Sequence, residues 1–254
     1  MRKLIHRVKT NKNMIPFRYY YRQLEEKAKK LYREVYEGIS HEKTEIKCHY
    51  YPGWEKDFVR IHKAICFDNP HLYTWNSQLI RSRCNEKTLF LYITYMNQQW
   101  SKRNMGSIMN RILQDSGALH AANDKEALQK LHDHLTKTWQ YGYYPPEYMG
   151  VYHIVGPLVN QVGVCQGFAF AFKLFCDFLR IKCIVCDGWI TDEENHAEEE
   201  LDRYPNHAWN KVLINGQWRY VDLSQDIVNK ENGYCRRWFL LTEKKMQKDH
   251  VLSL

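Results

Sequence analysis

The sequence predicts a mixed fold of helices and antiparallel strands, and three observations carry that prediction. Apolar residues recur at i, i+3, i+4 and i+7 over 18–39, the period of a helix with one buried face. A more apolar helix over Cys165–Leu179 runs into a buried strand, Ile181–Trp189. Two alternating runs, His207–Ile214 and Gln217–Asp222, flank Asn215-Gly216, which signals a hairpin with a type I′ turn.

The elements follow in order. The first helix lines up Tyr21, Leu24, Ala28, Leu31, Tyr32, Val35, Tyr36 and Ile39. Thr44–Tyr51 alternates as a strand before the Pro52-Gly53 turn. Glu55–Phe67 is a second helix with Phe58, Ile61 and Ile65 on one face, and Asp68-Asn69-Pro70 ends it because the residue before proline avoids the helical region. Ser77–Cys84 and Thr88–Met96 are strands, the latter rich in β-branched and aromatic residues. Residues 98–115 and 123–139 are helical, the second capped by Asn123 or Asp124. No internal repeat and no Gly/Ser-rich linker is present.

With 254 residues, 44% apolar and 26% charged, the chain can bury a sizeable core, which excludes bulk disorder. Twelve Gly and seven Pro exclude a fibrous chain. The N-terminus lacks the apolar stretch of a secretory signal. The most apolar segment, Phe168 to Cys186, is broken by Lys173, Asp177, Arg180 and Lys182, so no transmembrane span of ~20 residues is expected. A cytoplasmic protein follows, in which the eight cysteines are free thiols. Residues 1–63 hold 16 Lys+Arg and 8 Asp+Glu and carry the entire +8 charge; the remainder is neutral. Such a basic end fits an anionic partner surface or, more simply, a solvated helix face. An acidic run from Asp192 to Asp202 reads as an exposed loop.

The hairpin permits a geometric inference. A two-residue turn pairs 214 with 217 and, down the ladder, sets Trp209 opposite Asp222. His207 shares the face of Trp209, so His207 and Asp222 are diagonal neighbours within reach of a hydrogen bond. Such a carboxylate would fix the imidazole tautomer. Cys165 stands where a helix begins, where free N–H groups and the helix dipole favour a thiolate. Gly163 and Gly167 leave room for close backbone approach. Nucleophile, base and orienting carboxylate are thus candidates in Cys165, His207 and Asp222, against the plainer readings of core cysteine, structural histidine and strand-ending aspartate.

Gly163-Val164-Cys165-Gln166-Gly167-Phe168-Ala169 resembles the nucleophile motif of the bacterial transglutaminase-like superfamily. Asn206-His207-Ala208-Trp209-Asn210 and Trp218-Arg219-Tyr220-Val221-Asp222 are similar to its His and Asp motifs, in the same order. The stretch Leu131–Leu135 up to Tyr141, the Phe67-Asp68-Asn69-Pro70 string and the Tyr-rich helix resemble the segments that precede this core. The resemblance implies a papain-like α+β core, with the Cys helix packed on an antiparallel sheet that bears His and Asp. It divides the chain into a basic tail 1–17, an N-terminal α/β extension 18–118 and a catalytic core 119–254. It implies a cysteine enzyme acting on a protein or peptide through a Cys165 acyl-enzyme, with amine or water as acceptor; a non-catalytic binding or scaffold domain is the alternative.

The Tyr that family members carry before Gly-x-Leu is absent here, where Val155-Gly156-Pro157-Leu158 stands, so Tyr152 and Asn160 are candidates for a second oxyanion donor beside the Cys165 N–H. Trp189 and Tyr143, the latter within the Tyr141–Tyr144 cluster, are candidates for a substrate cleft. No cofactor or metal is expected: Cys183 and Cys186 sit in an apolar strand, His132 and His134 do not share a helix face, and the acidic run lacks the spacing of a Ca²⁺ loop.

Overall fold

Apolar faces sort the described chain into two units, residues 16–101 and residues 102 onward. The structure, a computed structural model, describes residues 16–96, 102–143, 149–191, 205–233 and 235–253. The basic residues 1–15, residues 98–101 of the expected helix, Tyr144 and the acidic run Asp192–Asp202 lie outside the described residues. Among the described residues no helix is long and apolar enough to cross a membrane.

In the first unit, the helix expected over 18–39 is two helices, α1 (Tyr19–Gln23) and α2 (Glu26–Ser40). Leu24 and Glu25 are extended between them. Sequence period cannot see the break, because its cause is remote. The Asp68 carboxylate accepts the N–H groups of Tyr20 (3.2 Å) and Tyr21 (2.8 Å) and anchors α1 by its first turn. Both helices still bury onto one core, so the apolar spacing runs through the break: Leu24, Ala28, Leu31, Tyr32, Val35 and Ile39 are all buried. β1 (Glu45–His49), α3 (Trp54–Asp68), β2 (Trp75–Cys84) and β3 (Thr88–Tyr95) follow, and the antiparallel sheet has the order β1-β3-β2. Asn69, next to Asp68, is buried and turns its amide to the Tyr32 hydroxyl (2.8 Å) and the Ile65 carbonyl (3.1 Å) at the end of α3. The Phe67–Pro70 motif is therefore a clasp between helices.

The second unit opens with α4 (Lys102–Asp115) and α5 (Asp124–Thr138). Asn123 is the cap of α5, accepting the Glu126 N–H at 2.9 Å. Short β4 (Gln140–Tyr141) pairs in parallel with β5 (Val162–Gly163), with a 3₁₀ turn at Met149–Tyr152 and a π-helical turn at Gly156–Asn160 between them. α6 (Cys165–Phe178) is buried from Gly167 to Asp177. Phe168, Phe172 and Phe175 are fully buried, each contributing about 2 kcal/mol by its removal from water. Lys173, also buried, meets Asp177 one turn on at 2.5 Å, so the charge inside the helix bundle is paired.

β6 (Cys183–Ile190), β7 (His207–Ile214), β8 (Gln217–Val221), α7 (Leu223–Val228), β9 (Phe239–Leu241), α8 (Glu243–Met246) and β10 (His250–Leu252) complete the unit. The sheet is antiparallel in the order β10-β6-β7-β8-β9. Asn215 (φ 51°) and Gly216 (φ 77°) make the primed turn, and the ladder runs Ile214↔Gln217 to Asn210↔Val221, the register expected from a two-residue loop. Asn210 crosses from the sheet to α6, donating to the Ala169 carbonyl at 3.0 Å. The result is an α+β core, with the Cys165 helix on the sheet that carries His207.

Candidate active site

Cys165 is the first residue of α6, and Val164 before it is extended. The N–H groups of the first helical turn have no partner inside the helix, so this end of α6 presents donors and the positive end of the helix dipole beside Cys165. The chain at 149–152 is held against this turn: the Val164 N–H donates to the Val151 carbonyl (3.2 Å) and the Gln166 amide donates to the Tyr152 carbonyl (3.1 Å). Gly167 makes the approach possible, since a Cβ there would lie 2.1 Å from the Val151 oxygen.

His207 begins β7, and its Nε2 lies 2.5 Å from Asp222 Oδ2. The ring also hydrogen-bonds the Cys165 thiol. The ring is thus the common neighbour of thiol and carboxylate. Burial alone would push the His207 ring toward its neutral form, but the Asp222 charge and hydrogen bond, with a smaller part from Cys165, raise its pKa to about 10.

Asp222 leaves the end of β8 and caps α7. Its Oδ1 accepts the Gln225 N–H (3.0 Å) and the Ser224 hydroxyl (2.7 Å). Its Oδ2 accepts from His207 and from a second ring, His250, whose Nε2 is 2.9 Å away. Burial opposes ionisation, yet the two imidazoles hold the carboxyl far below its usual range. His250 in turn has Nδ1 2.6 Å from Asp249 Oδ1, and Trp238 Nε1 donates to Asp249 Oδ2 at 3.0 Å. Trp209 shields both rings, stacked on His207 with centroids 5.9 Å apart and edge-on to His250 at 4.9 Å.

Among the described residues, His207, Asp222 and His250 are the cluster whose possible ligand atoms fall within 4.8 Å of one another. Their Nε2–Oδ2 distances of 2.5 and 2.9 Å are direct hydrogen bonds. An ion about 2.0–2.2 Å from each ligand atom would need the rings to move apart, so the set as arranged is a proton network and not a metal cage.

The other candidates fall as follows. β4–β5 pairing sets Tyr141 beside Gly163, and its hydroxyl reaches both the N–H and the thiol of Cys165. Burial and the neighbouring sulfur push the phenol pKa up to about 12. Tyr152 turns its hydroxyl to Tyr143 at 3.3 Å, and Asn160 is exposed at the end of the π-helical turn. Tyr143 is exposed. Trp189 follows Gly188, the residue paired with His207, so alternation turns the indole to the opposite face of the sheet. His132 is fully buried and sits 3.0 Å from Asp226, a His–Asp pair that ties α5 to α7. Cys183 and Cys186 are both buried. Asp249 and His250 are the residues around Asp222 that sequence reasoning missed, and Tyr141 was singled out only as part of a candidate cleft. Tyr141 was visible as part of a tyrosine cluster, whereas Asp249-His250 sits in a segment without period or motif.

Residues 113–223 match the family model of the transglutaminase-like superfamily. Among solved structures, the chain is similar to a TGase at 12% identity over 57% of this chain and 43% of that one, with a TM-score of 0.42. It is also similar to the periplasmic domain of TgpA from Pseudomonas aeruginosa bound to ethylmercury, at 14% identity over 62% of this chain and 70% of that one, with a TM-score of 0.37. The chain spans less than half the length of that TGase. Comparison with curated proteins yields no match.

Proposed function

We propose, for a chain whose residues 113–223 match the family model of the transglutaminase-like superfamily, that it is a cysteine enzyme cleaving a peptide bond or a glutamine side-chain amide through an acyl-enzyme, with water as the acceptor. The observation that carries this reading is Cys165 at a helix start, hydrogen-bonded to His207, whose Nε2 is 2.5 Å from Asp222. Sγ of Cys165 attacks the amide carbonyl and forms the C–S bond of a thioester. His207, as imidazolium, hands its proton to the departing nitrogen as the C–N bond breaks. The neutral ring then takes a proton from water, which attacks the thioester carbonyl, and the thiolate leaves. Asp222 orients the ring and stabilises its charged form throughout. A reducing cytosolic setting would keep the Cys165 thiol in the form this chemistry needs.

The test is mass spectrometry of a peptide mixture incubated with the enzyme, with and without an added primary amine. Hydrolysis gives cut peptides or glutamine converted to glutamate, and an amine-dependent adduct would make the enzyme a transferase. Cys165→Ala should give neither. An intact peptide pool under both conditions would remove the enzymatic reading in favour of a binding domain.

The tetrahedral intermediate places an oxyanion within reach of the Cys165 N–H, beside the Tyr141 hydroxyl. We assign Tyr141, ahead of Tyr152 and Asn160, as the second donor. Tyr141→Phe should lower turnover by about 10²-fold without slowing alkylation of Cys165, while Tyr152→Phe should leave turnover near the parent value. Equal losses from both would shift the assignment to Tyr152.

A further inference from the structure

We infer that His250 is a positioning residue for the Cys165–His207 pair: a buried imidazolium lodged between Asp222 and Asp249 that, through Asp222, sets the charge balance around His207. This rests on the cysteine-enzyme reading above. His250 lies beyond the 113–223 segment of the family match, so the match says nothing about it.

The protonation state follows from the geometry. Nε2 faces Asp222 Oδ2 at 2.9 Å and Nδ1 faces Asp249 Oδ1 at 2.6 Å. An ionised carboxylate only accepts, so each ring nitrogen must bring a hydrogen, and a ring with two is cationic. The neighbourhood contains no cheaper solution. Asp222 is fully buried and already receives Ser224, Gln225 and His207. Asp249 is held ionised by the ring, by Trp238 and by the charge of Arg237, with burial opposing. The remaining titratable ring against His250 is His207, edge-on with centroids 5.6 Å apart. β6 offers Ile190 as the strand partner, and Trp209 closes the side.

The consequence is a shared oxygen. Asp222 Oδ2 serves two imidazoles at once. A cation on the far side of Asp222 offsets part of the carboxylate's pull on the His207 proton. It also leaves the site less negative, which favours charge on the sulfur. His250 therefore prevents His207 from being locked as an acid too strongly held to release its proton. Its position requires that β10 run against β6, and Gly188 is what lets it do so.

The experiment uses the whole chain and two variants with opposite charge effects. Iodoacetamide alkylation of Cys165 is followed against pH, alongside ¹⁵N NMR of the histidine rings. In the parent protein, both His250 nitrogens should carry hydrogen at neutral pH. His250→Gln keeps a donor toward Asp222 but removes the charge; it should move the midpoint of the rate profile up by about one pH unit and slow alkylation about tenfold below it. Asp249→Asn removes the opposing charge and keeps the ring; it should move the midpoint down by less. A purely structural role would move both the same way. A neutral His250 ring, or midpoints that do not separate in opposite directions, would overturn the inference. If Cys165 of the parent alkylates no faster than the other seven thiols, the enzymatic reading fails first and the inference falls with it, because no reactive pair is left to tune.

Discussion

Asp222→Ala should cost about 3–5 kcal/mol of folding stability and lower turnover by about 10³–10⁴-fold. The change strands two buried imidazoles, removes the cap of α7 and leaves the Ser224 hydroxyl and Gln225 N–H without their acceptor. Breaking one side of a buried charge cluster is costly for this reason: the partners remain buried but uncompensated. The loss has a defined pH dependence. Asp222 titrates lower in the folded chain, so its contribution is present above its unfolded value, about 3.9, and fades as pH falls through the folded one. His207 is raised to about 10, so its contribution is complete below its unfolded value, about 6.5, and is lost as pH rises through about 10. The stability difference between parent and variant should therefore peak between about pH 4 and 6.5 and shrink on both sides. Urea unfolding across that range measures it, and a difference independent of pH would refute the paired-charge account.

Gly188→Ala carries the second large effect. A Cβ at this position would lie 1.9 Å from the Val251 carbonyl oxygen and 2.8 Å from Trp209 Cη2. One neighbour is backbone and the other a buried ring, so neither can yield cheaply. β10 must shift, and His250, one residue before Val251, shifts with it. We expect a loss of about 3 kcal/mol, at the upper end for overpacking. The His250→Gln pattern of Cys165 alkylation should appear as well, although position 188 carries no chemistry. Gly106→Ala is the control: a Cβ there meets nothing within 4 Å in the middle of α4, and the substitution should stabilise by up to about 1 kcal/mol. Equal stability changes for the two alanines would show that β10 is not pinned where the structure has it.

Much of the site was legible because it is built from local signals. The primed turn at Asn215-Gly216 sets a register, and period-2 alternation then puts His207 and Asp222 on one face. The helix start at Cys165 was legible from the apolar run that follows Gly163-Val164. The break at Leu24 was not, since the carboxylate that anchors α1 stands 47 positions away from Tyr21. Nor was His250. It lies 28 positions after Asp222 in a strand of three residues, too short for any alternation to register.

By itself, the sequence determined the Cys165 helix, the buried strand after it and the hairpin register that puts His207 and Asp222 on one face, because each depends on neighbours within a few positions. Only the tertiary structure decided that Asp222 is shared by two imidazoles and that Tyr141 lies on the Cys165 N–H. Those placements depend on which strands sit side by side. The order β10-β6-β7 and the parallel β4–β5 pair are chosen by burial of whole faces, a property of the assembled core that no local stretch of residues contains.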